Sequence, residues 1–195
     1  MNIIKMIKHF LVFFICFNSF YLFSQESTDK EFRQLDSLNR VFNRNPDSLL
    51  VYAQKLLDYS VKNNIQQGKK NAYRSLGMAN SRLRKYAQSI NYYHEALKLA
   101  TQTGDKRLEY IVYNDLSINY RVTKFYDSSV YYSRKLIKYY EVSQQQPQLN
   151  FSYMNAGNTY FAQSKLDSAQ FYLEKAVKGF DNTKNLQPLV STMTG

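Results

Sequence analysis

Apolar and polar positions in this chain recur every forty residues. Tyr52, Tyr92, Tyr132 and Tyr172 are evenly spaced at that interval, and their neighbours keep the register. Leu56, Ala96, Leu136 and Ala176 fall in one column, with Leu57, Leu97, Ile137 and Val177 in the next. Upstream, Tyr73, Tyr113 and Tyr153 align, followed by Leu76, Leu116 and Ala156, and then by Gly77, Ser117 and Gly157. Ser48, Ser128 and Ser168 share a phase broken by Gln88, and Asp47, Asp127 and Asp167 precede them. A fixed period of this length marks stacked supersecondary units, each too small to bury its apolar face alone.

Within a unit the apolar spacing is helical and predicts two helices. Tyr113, Leu116, Ile118, Tyr120 and Val122 form a stripe that ends at the polar pair Thr123–Lys124. A second helix then opens at Asp127, expected to act as its N-cap, and carries Val130, Tyr131, Leu136 and Ile137. The next unit repeats the pattern with Tyr153, Ala156 and Tyr160, then Ala169, Tyr172, Leu173 and Ala176 after Asp167. Gly104–Asp105, Gln144–Pro147 and Asn182–Asn185 mark the joins. The first unit opens less regularly around Phe32–Val41, with Pro46 at the start of its second helix, as a terminal unit would. The expected class is all-α, an α-solenoid of antiparallel helix pairs, with units at 29–64, 68–104, 108–144 and 148–184.

Tyr73, Leu76, Gly77 and Asn80, then Ser89, Tyr93 and Ala96, resemble the tetratricopeptide repeat pattern. Tyr153, Ala156, Gly157 and Tyr160, then Ala169, Leu173 and Ala176, resemble it too. Small residues at Gly77, Gly157, Ala169 and Ala176 would let paired helices approach closely. The family unit is usually about 34 residues, so the extra length here is assigned to the second helix and joining turn. The third unit departs most, with Ser133 where an aromatic is expected and Leu136 where alanine is. The resemblance spans about residues 30–184 and implies a right-handed superhelix whose first helices line a concave, peptide-binding face. By the family register the groove positions are Asn71, Arg74, Met78 and Ser81, then Ile111, Asn114, Ile118 and Arg121, then Phe151, Met154, Asn158 and Phe161. They grade from basic and polar to apolar and suit a peptide with apolar anchors and some negative charge. Met78 and Asp115 stand where family members that clamp a terminal carboxylate carry asparagine, so that activity is not carried over.

The first residues change the composition. Lys5 and Lys8 precede an apolar run from Phe10 to Phe23, too short for a spanning helix, so residues 1–24 are expected to be a secretory signal. A retained signal anchor is the alternative. The whole chain has 195 residues, 44% of them hydrophobic, and a net charge of +11. Without the signal it has no cysteine and His94 is its lone histidine, which fits an exported, periplasmic or envelope-associated protein of bacterial type. Export also weakens a nucleic-acid reading of the charge.

Little in the chain suggests catalysis. There is no phosphate-binding glycine loop and no paired cysteine, and any histidine-based triad must recruit His94. His94 reads as a partly exposed surface residue, the aspartates as helix-start residues, and the tyrosines as inter-helix packing. No enzyme activity, metal or cofactor is therefore expected. Charge adds one locus: between Tyr59 and His94 there is no acid, yet Lys62, Lys69, Lys70, Arg74, Arg82, Arg84 and Lys85 are present. This run is either a solvated face or a patch for an acidic partner. Two readings follow. The first is a scaffold binding a protein or peptide segment in the groove. The second treats Leu186–Gly195 as the truncated start of a fifth unit. It makes the chain the input segment of a membrane-bound regulator with a histidine kinase or DNA-binding output.

Overall fold

The structure is a computed structural model that describes residues 30–182. The expected signal at 1–24, the Asn182–Asn185 join beyond its first residue, and the start of a fifth unit at 185–195 lie outside the described residues. Among the described residues the chain forms eight helices. These are α1 (residues 30–41), α2 (Pro46–Lys62), α3 (Gln66–Arg82), α4 (Tyr86–Gln102), α5 (Lys106–Val122), α6 (Tyr126–Ser143), α7 (Gln146–Ala162) and α8 (Leu166–Asn182). A single 3-10 turn, Phe42–Arg44, joins the first two. The helix pairs begin about two residues ahead of the expected unit starts at 68, 108 and 148.

Each helix packs against its neighbours in the chain, which makes the array an α-solenoid of antiparallel pairs. The forty-residue period splits into two twenty-residue halves, each a helix and a short turn. Asn64, Arg84, Gly104, Lys124, Gln144 and Ser164 all have positive φ, one at each turn from α2 to α8. At five of these turns the residue after the left-handed one donates its N–H to the carbonyl five residues back. Ile65 to Ser60 (2.8 Å) and Phe125 to Tyr120 (2.8 Å) are examples. This Schellman geometry satisfies carbonyls that the helix end leaves free. It reverses the chain tightly enough for antiparallel packing.

The helix starts correct one expectation. Asp127 is not the N-cap of α6; that position is Phe125, which makes no side-chain cap. Asp47, Asp127 and Asp167 each lie in the first turn, where they complement the helix dipole instead. Side-chain capping falls to Asn45, which accepts from the Ser48 N–H, and to Asp105, which accepts from the Leu108 N–H.

The periodic columns are the core. Leu56, Ala96, Leu136 and Ala176 are all buried, as are Leu76, Leu116 and Ala156. Close approach is visible at the glycine column. A Cβ on Gly77 would meet the Tyr93 ring at 2.6 Å, and one on Gly157 would meet Leu173 Cγ at 2.7 Å. In the third unit the same two positions hold Ser117 and Ser133, both buried. A larger residue in the first column is matched by a smaller one in the second. That exchange gives Ser133 its physical reason. Tyrosines fill the remaining space in repeated pairs: Tyr73–Tyr92, Tyr113–Tyr132 and Tyr153–Tyr172, with ring centroids 6.4, 5.5 and 6.3 Å apart.

Candidate functional site

The first helices of the pairs form the inner face. α3 touches α5 and α5 touches α7, contacts beyond chain neighbours that bring these helices together along one side. α1 joins the row through Asn71 Nδ2 to Asp36 Oδ1 (2.9 Å) and Asn39 Nδ2 to Ser75 Oγ (2.9 Å). Two clefts run along this face. One, of about 410 Å³, is lined by Asp36, Asn39, Arg40, Asn71, Arg74 and Arg107 among others. The other, of about 420 Å³, is lined by Ile111, Ile118, Tyr140, Phe151 and Met154, with Asn114 and Asn155. Arg74 and Ile111 border both, so the clefts form one groove, polar at one end and apolar at the other.

Of the groove positions expected from the family register, Asn71, Arg74, Ile111, Asn114, Ile118, Phe151 and Met154 line these clefts. Met78, Ser81, Arg121, Asn158 and Phe161 do not: Ser81, Arg121 and Phe161 sit in the last turn of their helices, while Met78 and Asn158 share the column of Ile118 without lining either cleft. The 3–4 spacing carried one turn the other way reaches Gln67 and Arg107, which do line the groove. That signal was present in the sequence. The contribution of α1 had no such signal, since its register departs from the forty-residue period.

Several expected binding residues are already partnered. Arg74 Nε lies 3.2 Å from Asp115 Oδ2, and one unit later Asn155 Nδ2 donates to Asn114 Oδ1 at 2.9 Å. These two contacts occupy the same columns of the repeat, so they form a polar ladder across the groove floor. Burial pushes the Asp115 carboxyl pKa up, against the opposing pull of Arg74. The basic and polar end of the groove expected around Arg74 therefore has a floor whose charge is largely matched. Arg40 is likewise paired with Asp36 at 2.7 Å, and Arg107 is exposed.

The expected single basic patch is also corrected. Lys70 is buried and its Nζ lies 2.7 Å from Asp105 Oδ2. Lys69 donates to Asn64 Oδ1 (2.9 Å), and Arg82 Nη1 donates to the Asn43 carbonyl. Lys62 and Lys69 stand at one end of α3, whereas Arg82, Arg84 and Lys85 stand at the other, about 20 Å away along a helix of this length. Proximity in the chain did not become one surface, because a whole helix separates the two groups.

His94 is half-buried, in keeping with a partly exposed residue. Its Nε2 lies 2.8 Å from the Tyr120 hydroxyl, and burial lowers its pKa. Arg134, forty residues later, makes the corresponding contact to the Tyr160 hydroxyl at 2.9 Å. The repeat thus assigns His94 a packing role. Among the described residues no group of three or more His, Cys, Asp or Glu is placed to hold a metal ion.

Residues 71–103 and 152–178 match the tetratricopeptide repeat family. The matched segments fall on α3–α4 and α7–α8, the pairs that carry Gly77 and Gly157. No curated protein matches the sequence. Among solved structures, BtubC (BKLC) from P. vanneervenii is similar at a TM-score of 0.73 and 18% identity, covering 80% of this chain and 66% of that one. This chain therefore spans just under two thirds of that protein's length, and the likeness establishes the fold alone. Two structures of MamA align at a TM-score of 0.48 and 19% identity over 83% of this chain and 93% or 87% of theirs.

Proposed function

The chain carries tetratricopeptide repeats, and from that premise we propose a non-enzymatic scaffold of the cell envelope that holds a protein or peptide segment in its inner groove. The observation that carries this reading is the continuous groove, with Ile111, Ile118, Tyr140, Phe151 and Met154 at one end and Arg40 and Arg107 at the other. Its floor is fixed by the Asp36–Asn71, Arg74–Asp115 and Asn114–Asn155 contacts, so little ordering remains for binding to oppose. Apolar anchors of a peptide would enter between Ile118, Phe151 and Met154, and its acidic residues would lie toward Arg107. Placement in the envelope rests on the expected signal at residues 1–24.

The test is selection of peptides from a random library on the full chain, followed by titration of the selected peptide. Ile118→Asp combined with Phe151→Ala places a charge in the apolar end and removes a ring that is 39% exposed. The expected result is binding about ten-fold weaker or more, with an unchanged helical circular-dichroism signal. Equal affinity for wild type and variant would sink the groove assignment.

A further inference from the structure

A cluster of four cations faces a different hollow, on the outer side between α6 and the turn into α8. The hollow measures about 530 Å³, with Val130, Tyr131 and Tyr160 as apolar wall and Arg134, Lys135, Lys138 and Lys165 around it. Asp127 is its one lining carboxylate, and it accepts a long contact from Gln163 Nε2 (3.4 Å). Arg134 is aimed by its bond to the Tyr160 hydroxyl (2.9 Å), which uses one of its five N–H donors. The Lys135 ammonium sits 4.9 Å from the centre of the Tyr131 ring, itself 53% exposed. Neither Lys138 nor Lys165 donates a side-chain hydrogen bond or ion pair among the described residues.

The fold does not require this charge. At the equivalent positions of the preceding unit, Arg134 and Lys135 are replaced by His94 and Glu95, while Lys138 keeps its charge as Lys98. His94 makes the same tyrosine contact without a permanent charge. Packing explains why a donor stands at position 134. It does not explain three cations within about one helical turn and a fourth on the facing turn. The positive charges are spread around an open, largely apolar hollow, rather than gathered on one point. That arrangement matches several separate carboxylates on a chain with aliphatic residues between them, and not a single compact anion.

We infer that this outer hollow is a second docking site, taking an acidic polypeptide segment independently of the inner groove. Its carboxylates meet Arg134, Lys138 and Lys165, and its aliphatic side chains lie on Tyr131 and Val130. The probe is a fluorescein-labelled peptide of alternating glutamate and leucine, titrated against the full chain by anisotropy beside its glutamine counterpart. The glutamate peptide is expected to bind about ten-fold more tightly or better, and to weaken as salt rises. Lys138→Gln combined with Lys165→Gln is expected to lose about ten-fold in affinity while the thermal melt stays unchanged. Arg134→Lys, which keeps the charge, is expected to retain most of the binding, and Ile118→Asp to remove only a share held by the inner groove and leave the lysine-dependent share. Equal binding of the two peptides, or no effect of the double lysine variant, would overturn the site. So would loss of the lysine-dependent share in Ile118→Asp, or binding to phosphatidylglycerol vesicles with none to the peptide.

Discussion

Single residues in this chain show two different uses of glycine. Gly77 is set by space: its missing Cβ is where the Tyr93 ring lies, 2.6 Å from an ideal Cβ position. Gly104 is set by backbone angle: its φ is +67° and nothing lies within 4 Å of an added Cβ. Gly77→Ala is therefore expected to destabilise by about 2–3 kcal/mol through overpacking. Gly104→Ala should lose only about 1 kcal/mol through left-handed strain. Urea unfolding of both variants checks the order, and a larger loss at Gly104 would contradict it. The glycine column at Gly77 and Gly157 was legible as a small-residue position. The turns at Gly104, Lys124 and Gln144 were legible too, but the left-handed conformation was not, because Arg84, Lys124, Gln144 and Ser164 adopt it without a glycine to announce it.

At the scale of helices, the joints between units rest on side chains that act twice. Asp105 caps α5 through the Leu108 N–H and neutralises the buried Lys70 of α3. Asp105→Ala is expected to lose about 2–3 kcal/mol, below the ~3–5 kcal/mol of a fully buried pair because Asp105 is partly in water. The bond from Lys70 and the backbone bond from Leu108 lower the Asp105 pKa. A depressed carboxylate pKa gives stability that is present above the unfolded value and lost as pH falls through the folded one. Acid titration of urea stability should show that loss below the ordinary aspartate range in wild type, and less of it in Asp105→Ala. Identical acid profiles would show that the pair contributes nothing to the joint. Charge density along the chain gave no hint of this role, since Lys70 read as one member of a basic run. Its partner lies 35 residues away.

Across the whole molecule, contacts run between neighbouring helices and along the row of first helices, so stability is expected to be shared locally rather than uniformly. Gly157→Ala, which would drive a Cβ into Leu173, should loosen α7 and α8 while α2–α4 keep their amide protection. Hydrogen exchange reads this directly, and equal loss of protection in every helix would mean that the array unfolds as one unit. The sequence alone determined the repeat, the helix pairs and the buried columns, while the inner face came from the family resemblance, seven of whose twelve positions line the clefts. Helical periodicity and the burial it dictates are properties of a few consecutive turns, and they repeat visibly. Which charges are free was decided only by the tertiary structure. Arg74 and Asp115, or Lys70 and Asp105, meet because two helices dock at a particular separation and offset, and no local pattern encodes that geometry. The same docking left Arg134, Lys138 and Lys165 around an open hollow of the third and fourth units, a grouping that the basic run of the second unit did not announce.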